Sequence, residues 1–183
     1  MMIHSISQNM ELLCDNPENA ILGFNIEPIR KRGYCFIFSQ ANNQLSLLKG
    51  SHDTMELLGL IRDHVPEGCS FLDFVEKISV SESFVTAYKN RFFTNEVIVD
   101  ETVIELVKEV CSLDFSKEKP LCQGLDGFSL NCRIAAQQNE LHLWCCFYEE
   151  YYLSVGRLAN WLLDVGEVPN DSHWRFHLIK RPR

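Results

Sequence analysis

A chain of 183 residues with 46% hydrophobic and 23% charged residues has an ordinary globular composition. Its length suits a single domain, 1–183, that buries roughly 70% of its unfolded surface. The formal net charge of −8 argues against nucleic acid and anionic membrane surfaces as partners, because both demand a basic footprint.

The charge is unevenly spread. Residues 52–118 hold 14 acidic and 6 basic side chains, whereas the rest of the chain holds 11 of each. The middle of the sequence therefore suits a basic partner, or serves as a solvated surface that aids solubility. The eight cysteines stand at 14, 35, 69, 111, 122, 132, 145 and 146. They form no C-x-x-C and no paired metal spacing, and most have apolar neighbours, as in Tyr34-Cys35-Phe36. That pattern reads as small buried thiols in a reducing compartment. A basic leader with a long apolar run is absent from the first residues, and nothing approaches the ~20 apolar residues of a membrane span. A cytoplasmic protein is the expectation.

Along the chain, residues 9–14 read as either a short helix or an edge strand. Residues 20–29 alternate until Pro28 interrupts them, and Arg30-Lys31-Arg32 makes a basic turn before Gly33. Aromatic and β-branched runs at 34–38 and 45–48 flank Asn42-Asn43, which predicts a hairpin. A second hairpin across 128–144 turns at Gln137-Gln138-Asn139. Each hairpin precedes a helix, so the chain has the outline of a β-β-α duplication.

Between the hairpins lies a helical block. Ser51 is placed to cap a helix over 52–64, with Met55, Leu57, Leu58, Leu60 and Ile61 as its apolar face. Pro66 and Gly68 stop it. Ser70 caps 71–78, where Phe71, Phe74, Val75 and Ile78 make a stripe; Ser81 caps 82–93. Asp100 caps 101–112, burying Val103, Ile104, Val107, Val110 and Cys111. The other side of this last helix carries Glu101, Glu105 and Glu109 at i, i+4, i+8, a like-charge ridge that costs a few tenths of a kcal/mol per pair.

The stretch 125–165 is the predicted organising unit, with strands at 127–135 and 140–147 and a helix at 153–165. Alternation of apolar residues on both sides of 141–146 predicts a strand inside the sheet. Gly166 stops the helix, Pro169-Asn170-Asp171 turns, and Trp174, Phe176 and Leu178 alternate with His173, Arg175 and His177 as a final strand over 173–179. The fold class is α+β: an antiparallel sheet of hairpins with helices mainly on one face and a helical block in mid-chain.

Catalytic and metal constellations are rejected on spacing. His173 and His177 on a strand lie about 13 Å apart, too far for one metal ion. The same distance separates His142 from Cys146 as a local dyad. None of the nine glycines forms a phosphate-binding loop, and neither G-x-S-x-G nor H-E-x-x-H occurs. The expectation is no catalytic residue, no metal ligand and no cofactor.

Leu125-Asp126-Gly127-Phe128, two strands, the acidic-aromatic Tyr148-Glu149-Glu150-Tyr151 and an amphipathic helix resemble the ending of many small bacterial toxin-immunity proteins. Those are encoded beside polymorphic or contact-dependent growth-inhibition toxins. The likeness covers about 40 residues, and Tyr148-Glu149-Glu150 replaces the proline often found there. It implies a non-enzymatic protein that binds the C-terminal domain of a cognate toxin, commonly a nuclease with a basic cleft, by charge complementarity. Contacts implied on this view are Glu101, Glu105, Glu109, Asp126, Glu149 and Glu150, with Tyr148 and Tyr151 as aromatic hot spots. The alternatives are a small-molecule-binding domain or enzyme with a pocket between sheet and helices, and an oligomeric scaffold.

Overall fold

The computed structural model of the chain describes residues 3–28, 32–117, 128–144 and 153–166. After helix α1 (Ile6–Leu13) come three nine-residue strands in succession, β1 (Ala20–Pro28), β2 (Gly33–Ala41) and β3 (Gln44–His52). Asn42 and Asn43 both take positive φ, 50° and 62°, which is the geometry a two-residue hairpin loop demands and asparagine tolerates. Helices α2 (Thr54–His64), α3 (Phe71–Asp73) and α4 (Glu82–Phe92) follow, then β4 (Phe93–Ile98), α5 (Glu101–Cys111), the hairpin β5 (Phe128–Ile134) and β6 (Glu140–Trp144), and α6 (Leu153–Val165).

The strands form one antiparallel sheet in the order β4-β3-β2-β1-β5-β6. The fold is α+β, as its alternation of hairpins and helices predicts. Strand parity divides the side chains between two cores. Leu22, Phe24, Ile26, Phe36, Phe38, Leu47, Leu130 and Cys132 face α5 and α6. Cys35, Ile37 and Leu48 face the layer built from α1, α2 and α4 together with a π-helical turn at Phe74–Ile78. Helices thus lie on both faces, most of them on the second. Helix α1 can seat closely because residue 23 is glycine: a Cβ there would stand 2.8 Å from the Ile6 side chain.

Three expectations need correction. The two central strands of the sheet are β2 and β1, and residues 33–38 of β2 are buried on both faces. The hairpin at β5 and β6 sits to one side, so the meander β1–β3, and not 125–165, organises the described fold. Among the described residues β6 is the end strand; Leu141 and Leu143 are buried while His142 is exposed. Finally, α2 is capped by Asp53, because Ser51 still pairs with Tyr34 in the sheet. The Asp53 carboxylate accepts from Glu56 N at 2.8 Å and the Glu56 carboxylate from Asp53 N at 2.9 Å, a reciprocal box that leaves no role for Ser51.

Strand β4 has no counterpart in the sequence reading. Its burial alternates weakly, and the helix expected over 82–93 takes in only its first residue, Phe93. The ambiguous segment at 9–14 is helical and begins earlier, at Ile6, where Ser5 and Gln8 form a capping box. The final strand expected over 173–179 lies outside the described residues.

Candidate partner-binding surfaces

Helix α5 presents the acidic ridge. Asp100 caps it by accepting from Thr102 N at 2.8 Å. Val103, Val107 and Val110 are buried against the sheet and α6, which fixes the rotation of the helix. Glu101, Glu105 and Glu109 are consequently all exposed on the outer side. Lys108 Nζ reaches Glu105 at 2.7 Å and relieves part of the repulsion. Glu101 sits where the helix dipole favours an anion, whereas Glu109 sits in the last turn where it does not.

Of the eight contact residues expected from sequence, the structure places these three on one rigid face. Asp126, Tyr148, Glu149, Glu150 and Tyr151 lie outside the described residues.

A second surface was missed. The apolar residues assigned to one face of α2 divide in two. Leu57, Leu60 and Ile61 are buried, while Met55 and Leu58 point outward. The signal was present in the sequence: positions 57, 60, 61 and 64 make one i, i+3, i+4, i+7 stripe, and 55 and 58 fall off it. The neighbouring stripe divides likewise. Phe74 is fully buried and Phe71, Leu72 and Val75 are exposed. Two ring contacts tie the end of α2 to the π turn, since Phe84 meets His64 edge-on at 5.5 Å and Phe74 at 5.1 Å.

A cavity of about 270 Å³ opens where α6 ends over the sheet, among Tyr34, Phe36, Lys49, Ser51, Phe92 and Thr94. Its lysine is engaged, and Arg32 lies beside its Ser51. Lys49 Nζ pairs with Glu96 at 3.0 Å and donates to the Val165 carbonyl at 3.4 Å. Arg32 forks onto both Glu56 oxygens at 2.9 Å and donates to Ser51 Oγ at 3.3 Å. Burial pushes the Tyr34 hydroxyl pKa up.

The thiols of Cys14, Cys35 and Cys111 are all raised by burial, Cys111 to about 11, the opposite of an activated nucleophile. His142 is exposed, with Nδ1 2.6 Å from Asn131 Oδ1. Cys146, His173 and His177 lie outside the described residues. Among those described, no three His, Cys, Asp or Glu side chains are grouped to hold a metal ion, and no helix is long and apolar enough to cross a membrane. No protein-family model, curated protein or solved structure matches this chain.

Proposed function

We propose that this is a non-enzymatic immunity protein of the bacterial cytoplasm, which binds a cognate toxin domain, a nuclease with a basic cleft, and masks it. The observation that carries the reading is the α5 ridge. Three carboxylates project from a helix whose other side is packed into the core, so docking of a basic surface orders side chains but no backbone. Charges arranged in this way steer encounter and set partner choice more than they set final affinity.

The test is coexpression and pull-down with the C-terminal domain encoded by the neighbouring reading frame, followed by stopped-flow binding. Wild-type protein is expected to bind tightly and abolish the domain's toxicity. The variant E101Q/E105Q/E109Q is expected to associate about tenfold more slowly at low salt, with a flatter salt dependence. A neighbouring frame that encodes no toxin, or a toxin domain that does not bind, refutes the reading. The cavity at the end of α6 favours a second reading, a small-molecule-binding domain, which a ligand screen by thermal shift would separate.

A further inference from the structure

We infer that the outer edge of β4 is an interface with a second copy of this chain, in which two β4 strands pair antiparallel and join two sheets into one. This goes beyond the immunity reading and stands without it. Among the described residues β4 closes one end of the sheet and pairs with β3 alone. Thr94 and Asn95 belong to opposite faces and are both exposed, and Val97 is 48% exposed, so neither helical layer covers the strand.

An open strand edge is a template for pairing, and monomers guard such edges with lysine, proline or a bulge. Strand β4 carries none of these. Its run Phe93-Thr94-Asn95-Glu96-Val97-Ile98 pairs residue for residue with 45–50 of β3, without a register shift. Its one charge is drawn off the edge, since Glu96 meets Lys49 of β3 at 3.0 Å. Despite a net charge of −8, two copies therefore need set no bare like charges against each other along this strand.

Symmetry and charge select the second copy. Opposed side chains of an antiparallel pair share a face, so a twofold axis normal to the sheet passes through a residue paired with its own copy. An axis at Glu96 would set two carboxylates together. An axis at Asn95 pairs amide with amide, Thr94 with Glu96 of the second copy, and Phe93 with Val97 of the second copy. The same arrangement brings the end of α4 beside the start of α5 in the other copy. Arg91 is exposed, lies 5.5 Å from the centre of the Phe92 ring, and has no carboxylate partner among the described residues. Asp100 and Glu101 stand exposed just past the other end of the strand, and Glu101 has no cationic partner among those residues. Cation thus meets anion at both ends of the pair, a reciprocity that an unrelated strand would not supply. Because both copies use the same edge, the contact closes as a dimer.

The test is sedimentation equilibrium of the full chain from about 1 to 100 μM, with the variants V97K, R91E and the charge exchange R91E/E101R. All three alter exposed side chains, and a wild-type Tm shows that they fold. Wild type should reach twice the monomer mass. Each change occurs twice in a symmetric dimer, so V97K and R91E should each raise its Kd about tenfold, and the exchange should restore it. Amides of 93–98 should gain protection from hydrogen exchange as concentration rises. A wild type that stays monomeric, a mass that grows past the dimer, a Kd that V97K leaves unchanged, or an exchange that fails to rescue R91E each overturns the inference. Toxin binding is read separately by the pull-down, so neither result decides the other.

Discussion

Phe84→Ala is the sharpest test of the helical layer that covers one face of the sheet. Phe84 is fully buried, with Phe74 edge-on at 5.1 Å, His64 edge-on at 5.5 Å and Tyr88 stacked at 5.9 Å. A buried phenylalanine removes roughly 150–250 Å² from water, which at about 25 cal/mol per Å² is about 4–6 kcal/mol before the retained methyl is subtracted. Phe→Ala substitutions in cores cost about 3–5 kcal/mol, cavity included. The three ring contacts place this site at the upper end, about 4–5 kcal/mol, close to the whole stability of a marginal domain of about 5 kcal/mol. With a urea m-value of about 2 kcal/mol per M, the midpoint should fall by roughly 2 M. Leu72→Ala, twelve positions earlier and 70% exposed, should move it by less than about 0.3 M. Equal shifts for the two variants, or a Phe84→Ala shift below about 0.5 M, would refute the division of this layer into inward anchors and outward display.

His4 supplies a pH dependence. Burial lowers its pKa from the ordinary 6.5, while its Nε2 donates to the Ser79 carbonyl at 2.9 Å and holds one neutral tautomer. Below about 6.5 the unfolded chain takes up a proton that the folded state resists, so stability is full above that pH and declines as pH falls, by at most about 1.4 kcal/mol per pH unit. Denaturant titrations at pH 7.5, 6.0 and 5.0 should show the decline in wild type and a shallower one in His4→Gln; identical slopes would remove His4 as the cause. Gly50→Ala should destabilise by about 1–3 kcal/mol, because its Cβ would clash with ring carbons of Phe93 on the adjacent strand; a neutral result would mean the ring moves aside freely. At pH 8, alkylation of Cys111 followed by peptide mass spectrometry should run on the order of a hundredfold slower than for a free cysteine, given a pKa of about 11. A rate like that of free cysteine would place the thiol in water.

Local pattern carried most of the elements. The Asn-Asn loop, the caps at Ser70, Ser81 and Asp100, and the helix Leu153–Val165 were all legible, because each depends on residues within a few positions of one another. Strand β4 was not, since a strand at the end of the sheet needs only a partner, here Leu45–Gly50, and shows weak alternation of its own. The ridge at Glu101, Glu105 and Glu109 was legible because helical spacing and the buried valines fix one another. What tertiary structure alone decided is which apolar residues are core. Met55 and Leu58 match Leu57 and Leu60 in hydrophobicity; helical spacing sets the two pairs on different sides of α2, and the packing of α2 against Phe84 and the sheet decides which side is inward. Hydrophobicity is a property of the residue, but burial depends on what stands opposite it, and that partner is set by chain segments distant in sequence.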